Sequence, residues 1–125
     1  MDLRLTQARA NESERAAVDA VLGAPAAGSD DHFADAGHAA RGRRHLLLPA
    51  LHAVQESIGW ISEGALNHIA QRLSVPPAEI YGVATFYAMF ATEPRAPRVV
   101  HVCDDIACGP AGGEAMIERL TAELG

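Results

Sequence analysis

The 125 residues contain two cysteines, Cys103 and Cys108, with four residues between them. They lie in VVHVCDDIACGPAGGE, residues 99–114, behind a β-branched run and ahead of a glycine-rich turn. The thiolate is the ligand and nucleophile form of cysteine. Loop amides can donate to its sulfur, and the positive end of a following helix favours the anion. Four chemistries are compatible with the pair. C-x₄-C spacing occurs at [2Fe–2S] sites, where it supplies two of four thiolates. Zinc would need His101 and Asp104 or Asp105 as further ligands, and the C-x₂₋₄-C plus H-x₃₋₅-H spacing of structural zinc is absent. A redox disulfide is the third option, without the C-x-x-C spacing of thioredoxin-type motifs. Two plain buried thiols are the fourth, since free cysteine packs as a small hydrophobe. Gly112 and Gly113 let the backbone pass close to a cofactor. Asp104 and Asp105 add negative charge, which lowers the potential of a redox centre.

The elements that must position this loop can be read from periodicity. RVVHVC, ending at Cys103, alternates and is β-branched, which predicts a strand. GGEAMIERLTAEL predicts a closing helix with Met116, Ile117 and Leu120 inward. Upstream, RRHLLLPALHAVQESIGW places Leu47, Leu51, Val54 and Ile58 at helical spacing, with Pro49 in the first turn and Gly59 as the stop. Ser62 caps a second helix, EGALNHIAQRL, with Leu66, Ile69, Ala70 and Leu73 inward. Ser74 and two prolines open a third, AEIYGVATFYAMF, where Ile80, Val83, Ala84 and Tyr87 share a face that Phe86 and Phe90 extend. That helix is apolar nearly all round, which predicts burial between layers or at an interface. Residues 1 to about 40 read as a weakly structured arm. SERAAVDAVLG is predicted to form one short helix, capped by Ser13 and Gly23, with Ala16, Val18 and Val21 as a thin stripe. The Ala-rich stretch after it reads as a linker or a docking surface helix.

Size and charge narrow the function. A chain this long is one domain, or a small domain with part of another. The net charge of −6 argues against a phosphate backbone as partner. ALNHIAQRLSVPPAEIYGVATFY has helix-turn-helix cadence, but the candidate recognition helix carries no basic residue to meet phosphates or base edges. No nucleic-acid partner is expected. The polar N-terminus lacks a signal-peptide core, and no apolar run approaches the roughly 20 residues of a membrane span. The chain is expected to be cytoplasmic, with no direct membrane insertion. The six histidines are scattered, with His52 and His68 expected at solvated or rim positions; no hydrolytic constellation or nucleotide motif stands out.

The run from Leu47 to Phe90, followed by VVHVCDDIACGPAGG, closely resembles the thioredoxin-like [2Fe–2S] subunit of NADH dehydrogenase (respiratory complex I). The same family includes the matching subunits of NAD-dependent formate dehydrogenases and bidirectional hydrogenases. The resemblance runs from about residue 44 onward, and its most specific pieces are GVATFY with Phe90 and the C-x₄-C-x₃-G of Cys103, Cys108 and Gly112. It implies an α+β fold: an N-terminal three-helix bundle followed by the first strand-loop-helix of a thioredoxin-like domain. Residues 1–42 would be a flexible or partly helical arm, 43–91 the helical bundle, and 98–125 an incomplete thioredoxin-like [2Fe–2S] domain. Cys103 and Cys108 would be metal ligands, Gly112 the cofactor-contacting turn, and Tyr81, Phe86, Tyr87 and Phe90 packing residues between the two parts. No catalytic residue is expected. The implied function is electron transfer to or from a flavin/NADH-binding subunit, with flavin and NAD on that partner and the chain at most peripheral to a membrane complex. The family pattern continues into a second, C-x₃-C cysteine pair that these residues do not contain, so the chain is expected to be a truncated copy or part of a longer or fused protein. The other readings are a missing half on another polypeptide, or a cofactor-free docking module that braces a partner subunit.

Overall fold

The computed structural model describes residues 6–23 and 42–125. The stretch read as an Ala-rich linker, with His32 and His38, lies almost wholly outside the described residues. The chain divides into two units, Met1–Arg95 and Ala96–Gly125.

In the first unit Asn11 opens helix α1 (Glu12–Leu22). Its side chain accepts from the Glu14 N–H while the Glu14 carboxylate accepts from the Asn11 N–H, each at 2.8 Å. This reciprocal capping box explains why the cap is Asn11 and not Ser13. Three residues after Ser13 stands Ala16, which has no side chain to return the bond. Gly23, at φ 81°, ends the helix as expected. Val18 is fully buried and Leu22 nearly so, while Ala16 is exposed.

Helix α2 (Leu47–Ile58) is entered through a 3₁₀ turn, Arg44–Leu46. Pro49 sits in its first turn, where a missing N–H leaves no bond unmade. Gly59 closes it at φ 93°. Helix α3 (Glu63–Leu73) starts at Ser62, whose Oγ accepts from the Ala65 N–H at 3.1 Å. Ser74 takes the left-handed conformation at φ 51° and so terminates α3, whereas the sequence pattern uses it to open the next helix. Pro76 and Pro77 start helix α4 (Pro77–Phe86). At Tyr87 the backbone turns extended, so the helix stops four residues short of its predicted end and Phe90 folds back into the core.

Helix α1 packs on α2 and α3, α2 on α3, and α3 on α4. Among the described residues this unit therefore has four helices, α1 joining the three expected ones. Its core holds Val18, Leu51, Val54, Ile61, Leu66, Ile69, Leu73, Val75 and Ile80, all essentially inaccessible. Each such side chain contributes about 1.5–3 kcal/mol of transfer free energy. The segment ahead of α1 crosses α3. Asn67 Nδ2 donates to the carbonyls of Thr6 and Ala8 at 3.1 and 2.9 Å, and a Cβ on Gly64 would lie 2.4 Å from the Arg9 oxygen. Only glycine permits that approach.

The second unit corrects the expected fold class. Among the described residues there is no strand, so the described chain is helical and not α+β. The alternating run at residues 98–103 has strand-like residues but no second strand to receive its N–H and C=O groups, and β structure is defined by that pairing. The strand-loop-helix of a thioredoxin-like domain is not formed. The unit has chain without regular secondary structure, the cysteine loop and helix α5 (Glu114–Leu124), on which Ile117 and Leu120 are half-buried and Met116 is exposed. No side chain of this unit is fully buried.

Candidate metal centre

Cys103 lies in chain without regular secondary structure, and Cys108 precedes a wide π-type turn, Gly109–Gly113, that runs directly into α5. The loop is tied by its own backbone. The Gly109 N–H donates to the Asp105 carbonyl and the Gly113 N–H to the Cys108 carbonyl, both at 2.8 Å. Asp105 Oδ1 also accepts from the Ile106 N–H at 2.7 Å. Gly112 adopts φ 111°, a left-handed conformation that L side chains rarely take. A Cβ on Gly113 would lie 2.7 Å from the carbonyl oxygens of both Cys103 and Cys108. The backbones of the two cysteines thus converge on Gly113.

A hydrogen bond between the two thiols pushes the Cys108 thiol above its ordinary range. Both thiols are free and exposed, which removes the reading of plain buried cysteines. No group of three or more His, Cys, Asp or Glu side chains among the described residues is placed to hold a metal ion, so His101, Asp104 and Asp105 do not complete a zinc set. Two accessible thiols on one closed loop fit one half of a four-thiolate cluster site.

Among the aromatic residues singled out upstream, Tyr81, Phe86 and Tyr87 are exposed and Phe90 is buried. Phe90 packs edge-on to His52, with ring centroids 4.8 Å apart. His52 is exposed, as expected, whereas His68 is half-buried and its Nε2 lies inside the protein. Sequence reasoning gave Gly113 less weight than its geometry demands; the signal was the glycine doublet itself. It missed Gln55. That side chain donates to the Gly59 carbonyl at 2.5 Å and accepts from the Ala91 N–H at 2.9 Å, fastening the bundle's exit segment to the end of α2.

Residues 34–125 match the family model of the thioredoxin-like [2Fe-2S] ferredoxins. The chain belongs to that family. Among its relatives, the E subunit of NADH-quinone oxidoreductase from Pseudomonas aeruginosa is 33% identical over 82 residues, 66% of this chain and 49% of the relative. The E subunit from Mycobacterium tuberculosis is 37% identical over 83 residues, 66% of this chain and 33% of the relative. The second subunit of the Thermus thermophilus NADH-quinone oxidoreductase is 36% identical over 84 residues, 67% of this chain and 46% of the relative. The chain thus spans a third to a half of the length of these relatives. No helix of the described residues is long and apolar enough to cross a membrane.

Proposed function

We propose that this chain is an electron-transfer component of an NADH-linked oxidoreductase, with Cys103 and Cys108 as two of the four ligands to a [2Fe–2S] cluster. The other two ligands then lie outside these 125 residues. The observation that carries the reading is the pair of exposed thiols on a loop whose two cysteine backbones converge on Gly113. When bound, such a cluster accepts one electron and gives it back. The chain's own residues set the conditions. Cys103 and Cys108 supply sulfur and must release their protons to do so. Gly112 provides the left-handed turn that brings α5 up behind the loop. Asp104 and Asp105, both exposed beside the ligands, disfavour added negative charge and pull the potential down. By kinship with the NADH-quinone oxidoreductase relatives, the partner is a flavin/NADH-binding subunit, which carries the flavin and the NAD. The bundle, residues 43–91, would dock that partner, and residues 98–125 would carry the cluster half-site, on the cytoplasmic side and peripheral to any membrane.

The test is anaerobic reconstitution with iron and sulfide in the presence of the partner, followed by optical and paramagnetic resonance spectra of the reduced sample. A [2Fe–2S] signal that is lost in Cys103→Ser and Cys108→Ser supports the reading. An unchanged signal in either variant rules out ligation by that residue. A second reading, a cofactor-free docking module, is favoured by the exposed Tyr81, Phe86, Tyr87 and Met89 on and just after α4. Partner binding that persists in a colourless double-serine variant, with no signal in the wild type, would select it.

A further inference from the structure

Away from the cysteines, a groove of about 290 Å³ lies on the helical unit. Its floor is one face of α3, with Gly64, Asn67, His68 and Gln71 at helical spacing, and Arg9 and Arg15 line it from the segment ahead of α1 and from α1 itself. Both arginines are exposed, and neither forms an ion pair with a described residue. The neighbouring Arg72 is already engaged, by the Asp19 carboxylate and the Gly23 carbonyl. The floor holds an unsatisfied group. His68 Nε2 is buried without a hydrogen-bond partner, and the Asp19 carboxylate oxygen is 3.6 Å away, beyond bonding distance.

Two guanidiniums without an ion pair among the described residues, beside a buried imidazole in a chain of net charge −6, form a local cationic site. Guanidinium forks match tetrahedral oxyanions through charge-assisted, bidentate bonds. We propose that this groove binds a small phosphate-class oxyanion between Arg9 and Arg15, beside the His68 ring.

The site also predicts a pH dependence. The groups facing His68 are Asp19 and Arg15 on α1, Arg72 on α3, and Arg9 across the groove. Burial lowers the His68 pKa, Arg72 and Arg15 lower it further, and Asp19 opposes them. A bound anion offsets the arginines and favours the imidazolium. The Nε2–H can then donate towards Asp19, which relieves the unsatisfied nitrogen. Sulfate, a tetrahedral oxyanion whose charge is constant over this range, should therefore bind more tightly as pH falls from about 7.5 to about 6.

The experiment titrates inorganic phosphate into the full 125-residue chain and follows the His68 ring resonances by nuclear magnetic resonance, at constant ionic strength with chloride as control. Expected are saturable shifts, a rise in the His68 pKa on binding, and affinity weakened about tenfold in Arg9→Gln and in Arg15→Gln. Both residues are exposed, so the thermal midpoints of these variants should match the parent. His68→Gln should still bind phosphate, and its affinity for sulfate should no longer change with pH. Shifts that grow linearly and equally in chloride would overturn the proposal, as would unchanged affinity in both arginine variants.

Discussion

A methyl group at position 113 would meet the carbonyl oxygens of Cys103 and Cys108 at 2.7 Å, whereas one at position 112 meets open space but forces a side chain into left-handed backbone. The adjacent glycines therefore fail differently. Gly112→Ala should cost about 1–2 kcal/mol of loop stability while keeping the two sulfurs together. Gly113→Ala has no relaxed solution, because the obstacle is main chain on both sides. It should separate the cysteines while leaving the circular dichroism of the bundle unchanged. The assay is thiol chemistry on the metal-free chain. A mild disulfide oxidant should close Cys103–Cys108 readily in the parent, two thiols giving up two protons and two electrons to the oxidant. The same step should be markedly slower in Gly113→Ala; an equal rate would refute the convergence. C-x₄-C and the glycine doublet were legible in the sequence because they are contiguous. The demand specific to Gly113 was not, since it arises from how the segment from Cys103 to Gly113 closes on itself.

At the level of the elements, the legible features were those encoded within a few residues. Ser62 as cap, Gly59 as stop and the inward Leu66, Ile69, Ala70 and Leu73 follow from local periodicity, and the structure has them all. Asn11 was overlooked in favour of Ser13, although its reciprocal bond with Glu14 is also local. Asn11→Ala should lower stability by about 1 kcal/mol in chemical denaturation. The expected strand failed for a nonlocal reason: Val99 and Val100 have strand chemistry, but pairing partners are not a property of the segment. The end of α4 was misplaced because Phe90 gains more from the core beside His52 than from another helical turn. A pH prediction belongs to α3. The folded pKa of His68 lies below the ordinary imidazole value of about 6.5, so the unfolded chain binds the proton more readily. Without a bound anion, its contribution is intact above pH 6.5 and is lost as pH falls through that value towards the folded one. His68→Gln should flatten the acid limb of the melting temperature against pH.

For the molecule as a whole, burial is unequal. Every fully buried side chain among the described residues belongs to the first unit, and none to residues 96–125. Hydrogen exchange should follow that division, with strong protection at the centres of α2 and α3 and early exchange throughout α5. Leu51→Ala, at a fully buried position, should destabilise the bundle by about 2–5 kcal/mol in urea unfolding. An equal loss of protection in both units would show that they unfold as one. The tying of the cysteine loop by its own amides has a further consequence. Its shape is secured by the bonds to Asp105 and Cys108 and by the fit at Gly113, none of which involves a metal. Little conformational entropy is left to lose when the sulfurs are engaged, and little structure to collapse when they are released. The half-site should survive repeated stripping and refilling.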